Sequence, residues 1–80
     1  MSATNNSVMV ELDACGLACP MPLLKMKKAL NGLAPGERIR VRATDVGSQR
    51  DFSVFCQQSG HQLLLSDVVD DTFVFIIEKK

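Results

Sequence analysis

The sequence predicts a two-layer α/β (α+β) sandwich with the element order βαβαββ: a four-stranded mixed sheet with two helices on one face. Three observations carry that expectation. Two apolar stretches with a period of two are each followed by a stretch with helical spacing, and two further strand-like stretches close the chain around the turn Asp70-Asp71. A chain of 80 residues, 46% of them apolar, has room for one small core, because a chain this short buries only about 60 to 65% of its unfolded surface. Strands joined through a helix should run parallel with right-handed crossovers, whereas the last two should return as a hairpin.

Residues 1–7 are small and polar and read as a flexible N-terminal tail, which leaves 8–80 as a single domain without repeats or an internal linker. In "VMVELD" (8–13), Val8, Val10 and Leu12 alternate with Met9, Glu11 and Asp13, the spacing of a strand with one buried face. From Pro20 to Leu33, steps of 100° gather Leu23, Met26, Ala29, Leu30 and Leu33 on one side and Lys25, Lys28 and Asn31 on the other, which predicts a helix. "NGLAPGE" ends it with glycine and proline. "RIRVRAT" (38–44) sets Arg38, Arg40 and Arg42 against Ile39, Val41 and Ala43, a second strand whose arginines should face water opposite Glu11 and Asp13. Ser48 followed by Asp51 can cap a second helix to about Ser59, with Phe52, Phe55 and Cys56 inward and Gly60 as its stop. "QLLLSDVV" (62–69) and "TFVFIIEK" (72–79) form the hairpin; "FVFII" needs cover on both faces, from neighbouring side chains or a partner.

Charge and composition exclude several classes of function. Nine basic and nine acidic residues balance, and no basic run interleaved with aromatics marks a nucleic-acid or membrane-surface footprint. The first ten residues lack a basic start and a signal-length apolar run, and the longest apolar run is too short to span a bilayer. The expectation is a cytoplasmic protein acting as a monomer, with its three cysteines kept as thiols.

"ACPMPLLKMKKAL" (18–30) places a cysteine before two prolines at the start of the first helix. Proline at the first helical position loses no hydrogen bond and biases the preceding residue toward an extended conformation, so Cys19 is the expected N-cap. With Pro22 at the third helical position, only the Met21 amide can donate to the sulfur. A helix terminus contributes roughly 0.3 to 1 kcal/mol to an exposed charge and up to about 2 in favourable geometry, which would bring a thiol from about 8.5 to between about 7 and 8. Such a pKa suits a thiol that must take up a group and also give it up, since a strongly depressed pKa weakens nucleophilicity. Met21 and Leu24 fall on the solvent side of the helix with Lys25 and Lys28, a candidate docking patch for an acidic and apolar partner surface.

"LDACGLACPMPLLKMKKAL" resembles the start of the TusA/SirA-type sulfur carrier family, whose mark is Cys-Pro-x-Pro after a leucine-aspartate strand end and a glycine, here Leu12, Asp13, Gly16, Cys19, Pro20 and Pro22. The resemblance continues through "APGERIRVRATD", the aspartates of "DVGSQRD" (Asp45 and Asp51) and "FCQQSGHQL". It implies a βαβαββ fold related to the C-terminal domain of bacterial initiation factor three. It also implies that Cys19 accepts a persulfide sulfur from a cysteine desulfurase or similar donor and relays it to an acceptor protein thiol, for tRNA thiolation, molybdenum cofactor enzyme maturation or sulfur metabolism. Such a protein is a non-hydrolytic, sulfurtransferase-type carrier that needs no cofactor beyond the covalent persulfide. Three positions depart from the family pattern: Cys15 stands where a non-cysteine is usual, "VGS" follows Asp45 where a proline is common, and Met21 stands where tRNA-thiolation members tend to carry an acidic residue.

In that reading Gly16, Pro20 and Pro22 frame the site, with Gly16 permitting a tight approach. Cys15 is either structural or a resolving thiol, since Cys-x-x-x-Cys closes as a disulfide when its α-carbons lie within about 7 Å. Two thiolates without a nearby histidine do not complete a tetrahedral metal site, and none is expected. Cys56 reads as core and His61 as a turn residue. Asp45 and Asp51 read as turn and helix-dipole residues with a family role in fold or partner binding, not as acid-base catalysts. Two alternatives remain: a Cys15/Cys19 dithiol-disulfide oxidoreductase, and a small regulatory protein-binding module in which Cys19 is dispensable.

Overall fold

The computed structural model describes residues 9–80, so the expected tail and Val8 lie outside the described residues. The order is β1 (Met9–Ala14), α1 (Met21–Asn31), β2 (Arg38–Ala43), α2 (Ser48–Ser59), β3 (Gln62–Val69) and β4 (Thr72–Glu78). The strands lie in the spatial order β1-β2-β4-β3. β1 and β2 run parallel in the register Val10↔Ile39 and Leu12↔Val41, while β4 is antiparallel to both β2 and β3. The α2 crossover therefore leaves a gap beside β2, and β4 fills it.

Alternation decides which face is buried. Ala14, Ile39, Val41, Ala43, Phe75 and Ile77 point to one side, where they meet Met26 and Leu30 of α1 and Phe52 and Cys56 of α2 in one core. Both helices thus cover the same face. At the centre, the Phe52 and Phe75 rings lie 4.4 Å apart at a 38° tilt. The opposite face carries the arginines: Arg40 and Arg42 pair with Glu11 at 3.7 Å and Asp13 at 3.6 Å, and Arg38 pairs with Glu78 at 3.0 Å. In register Arg40 lies opposite Ile76 and Arg42 opposite Val74, so arginine stems stand beside the second face of β4. That is where the cover for "FVFII" comes from: Val74 is buried and Ile76 half-buried.

The turns show why the chain reverses where it does. Asp70 and Asp71 have φ of 50° and 63°, the pair of positive values that a two-residue hairpin with the right twist requires. Gly60 ends α2 with φ of 87°, its amide bonded to the Cys56 carbonyl at 3.0 Å. α1 stops at Asn31, two residues before the expected end, because Gly32 and Leu33 bond three residues back instead of four. The expected cap of α2 is not made. Gly47 is the N-cap, and Ser48, only 1% exposed, has its hydroxyl without a hydrogen-bond partner. Asp45 organises the entry instead: its carbonyl accepts the Ser48 amide at 3.1 Å, and its carboxylate accepts the Gly47 amide at 3.0 Å.

Candidate functional site

The loop from β1 to α1 carries the motif cysteine, and three hydrogen bonds shape it. The Asp13 carboxylate accepts the Cys15 amide at 3.0 Å, the Ala14 carbonyl accepts the Leu17 amide at 3.4 Å, and the Gly16 amide donates to the Thr44 hydroxyl at 2.8 Å. The last bond ties the loop to the residue just past β2. Gly16 has φ of 80°, and a β-carbon there would meet nothing within 4 Å. The residue is therefore required by backbone conformation; the expected close approach is not what it serves.

Cys19 is not the N-cap of α1. Pro20 holds that position, and its carbonyl accepts the first helical amide, from Leu24 at 3.1 Å. The Met21 amide, the one donor that could have capped the sulfur, is taken by the Ala18 carbonyl at 2.9 Å. The Cys19-Pro20 peptide is cis, and Pro22 packs into the interior. Freed from capping, the exposed Cys19 side chain turns to the other helix: its thiol donates to Asp51 Oδ2 at 2.7 Å. Gly47 lies against it on the same side, so that a β-carbon built on Gly47 would fall 3.5 Å from Cys19 Sγ and 2.9 Å from Asp45 Oδ2. Gly47 has φ of −69°, open to any residue; space is what keeps it small.

This geometry overturns the expected acidification of the thiol. The Asp51 hydrogen bond, a little desolvation, and the negative charges of Asp51 and Asp45 push Cys19 above the ordinary thiol range, with Arg50 opposing them. Asp51 was legible as a helix-start acidic residue and as one of the two motif aspartates, but nothing in its spacing pointed to a sulfur 32 residues earlier. Gly47 and Thr44 were missed for the same reason, although the glycine inside "DVGSQRD" was the available signal.

The docking candidates stand where helical spacing put them. Met21 is 49% and Leu24 48% exposed, and Lys25 and Lys28 are exposed beside them. A groove of about 230 Å³ between α1 and α2, lined by Leu23, Lys27, Arg50, Asp51, Val54 and Phe55, adds a feature that no linear pattern showed. Lys27 reaches across it to lie 5.4 Å from the centre of the Phe55 ring.

Cys15 and Cys19 are both free thiols with different carboxylate partners. Burial, then Asp13, raises Cys15, whereas Cys19 answers to Asp51. Cys56 is 5% exposed in the core, and burial raises its thiol. His61 follows Gly60 and accepts the Lys80 amide on Nδ1 at 2.9 Å, which ties down the C-terminus. Among the described residues no cluster of three or more histidine, cysteine or acidic side chains could hold a metal, and no helix is long and apolar enough to cross a membrane.

Known proteins resemble this chain in sequence and in architecture. A protein of Allochromatium vinosum named sulfur carrier protein TusA is 46% identical over 69 residues, covering 86% of this chain and 91% of that one. A protein of the same name from Pseudomonas syringae is 38% identical over 76 residues, covering 95% and 90%. The crystal structure of a SirA-like protein from Desulfitobacterium hafniense superposes with a TM-score of 0.79 at 26% identity, covering 88% of this chain and 96% of that one. The family described as Sulfurtransferase TusA matches residues 10–79, a span that takes in all six elements but the first residue of β1, and with it the cysteine loop and the aspartates that face it; the chain belongs to that family.

Proposed function

We propose that the protein is a sulfur carrier that accepts a persulfide sulfur on Cys19 and passes it to the thiol of an acceptor protein. The observation that carries this reading is the placement of Cys19: an exposed thiol on a loop anchored to the sheet, with its sulfur held on one side by Asp51 and open on the other. Relatives named as sulfur carriers, matching nearly the whole chain, support it.

The chemistry balances without an external oxidant. The Cys19 thiolate attacks the terminal sulfur of a donor persulfide, the new S–S bond forms on Cys19 Sγ, and the donor S–S bond breaks with its electron pair passing to the donor cysteine. Written with protons, a donor persulfide and the Cys19 thiol become a donor thiol and Cys19–S–SH. The cargo is covalent and no resident cofactor is required. Pro20, Pro22 and Gly16 hold the loop, and Met21, Leu24, Lys25 and Lys28 offer a mixed apolar and cationic surface within two turns of the sulfur. That surface suits donors and acceptors with acidic and apolar rims, a cysteine desulfurase being the donor proposed. The cytoplasm is the compartment this reading requires, because the carrier thiol must stay reduced.

The test is intact mass after the reduced protein is incubated with a cysteine desulfurase and cysteine. One added sulfur, removable by reductant, absent from Cys19→Ser and retained in Cys15→Ser, is the expected result. No added sulfur, with a loss of two hydrogens shared by Cys15 and Cys19 under mild oxidant, would replace the carrier with a dithiol oxidoreductase.

A further inference from the structure

Asp51 reaches Cys19 from the other helix, and its position there has consequences for the loaded protein. Its Oδ2 accepts the Cys19 thiol hydrogen at 2.7 Å. The ionisable groups facing the sulfur are Asp51 itself, Asp45 from the loop before α2, and Arg50 from the same turn, so two negative charges stand against one positive. A carboxylate in contact with sulfur accepts its hydrogen and opposes its ionisation. The added sulfur of a persulfide lies one S–S bond further out, about 2.05 Å, and so stays within about 5 Å of the same oxygen.

The protonation state of that added sulfur decides what it does. An ionised persulfide is a nucleophile, and its charge repels an incoming thiolate. A protonated one presents its terminal sulfur as an electrophile. A carrier that surrenders its sulfur to a thiolate needs the protonated form at the moment of attack.

We propose that Asp51 is a catalytic residue of the release step, holding the proton on the sulfur carried by Cys19 so that the terminal sulfur of Cys19–S–SH stays open to attack by the acceptor thiolate. In that step the acceptor sulfur bonds to the terminal sulfur, the S–S bond to Cys19 breaks, and its electron pair stays on Cys19 Sγ. The proton travels with the transferred sulfur. Cys19 then takes a proton from water and returns to its hydrogen bond on Asp51. Nothing is oxidised or reduced overall. Between turnovers the same contact keeps the empty thiol protonated, which slows its reaction with stray electrophiles. This role rests on the carrier reading above.

The experiment loads the wild type, Asp51→Asn and Asp51→Glu with sulfur from glutathione persulfide. Single-turnover release to glutathione is then followed by intact mass across the pH range in which each protein stays folded by circular dichroism. In the wild type, release should quicken with pH as glutathione ionises and fall off when the carried persulfide ionises. In Asp51→Asn that fall should begin at lower pH, release at neutral pH should be several-fold slower, and alkylation of the empty Cys19 by iodoacetamide should be several-fold faster. Asp51→Glu should restore most of the wild-type profile. Coincident wild-type and Asp51→Asn profiles in both assays would overturn the proposal, and Asp51→Ser decides in the same way if the asparagine variant does not fold. Failure of the wild type to take up sulfur on Cys19 would instead remove the carrier reading, a result visible without any variant.

Discussion

Phe52 joins the core to the site: it is fully buried, its ring packs on Phe75 at 4.4 Å, and it follows directly on Asp51 in α2. Truncation to alanine removes a ring that the surrounding β-strands cannot collapse to replace, and costs about 3 to 5 kcal/mol, of which the aromatic pair supplies roughly 0.5 to 1.5. A domain of this length has about 4 to 12 kcal/mol in total, so Phe52→Ala should stand near the edge of folding. At about 2.1 cal/mol/K per residue, the entropy of melting makes that a fall in Tm of about 18 to 30 °C. Phe52→Leu keeps most of the volume and should lose about 1 to 2 kcal/mol, or about 6 to 12 °C. Thermal unfolding by circular dichroism reads the shift. The rate at which an aromatic disulfide reagent modifies Cys56 reads the core directly, because Cys56 lies one turn further along the same buried face. A fall in Tm under about 5 °C with Cys56 still protected in Phe52→Ala would refute this account of the core.

Further outcomes follow from the loop, the outer face of the sheet and the buried thiol. Gly16→Ala forces an L-residue to φ of 80° and should destabilise by about 1 to 2 kcal/mol in urea unfolding, while leaving Cys19 able to take up sulfur, since the space beside Gly16 is open. A double-mutant cycle on Arg42 and Asp13, paired at 3.6 Å with both side chains largely exposed, should return under about 1 kcal/mol and shrink with added salt. Burial raises the folded-state pKa of Cys56, so the stability tied to its neutral form is complete below the ordinary thiol value and is lost as pH climbs past it toward the folded value. The urea midpoint should therefore decline at alkaline pH, and Cys56→Ala should flatten that decline.

Periodicity carried far in this chain because burial is a local pattern. The alternation of Ile39, Val41 and Ala43 with three arginines, the helical spacing of Met26 and Leu30, and the Asp70-Asp71 turn each depend on residues within a few positions, and each element formed within a residue or two of its expected limits. The two prolines at fixed offsets likewise constrain the one loop that carries Cys19.

What lies around Cys19 in space could not be read that way. The sulfur was expected to answer to the end of its own helix, yet the Met21 amide is already bonded and the partner is Asp51, brought across by the packing of α2 on the same sheet face. That contact is the largest of the influences that raise the thiol's pKa, ahead of burial and the charge of Asp45. Likewise the carboxylate beside each thiol, Asp13 for Cys15 and Asp51 for Cys19, is set by the folded loop and not by the four-residue spacing. The elements, the single core and the loop that carries Cys19 were thus determined by the sequence through short-range pattern. The strand order, the partner of the sulfur and its preference for the protonated form were decided by tertiary structure, because electrostatics depends on distance through space and the chain closes that distance only by folding.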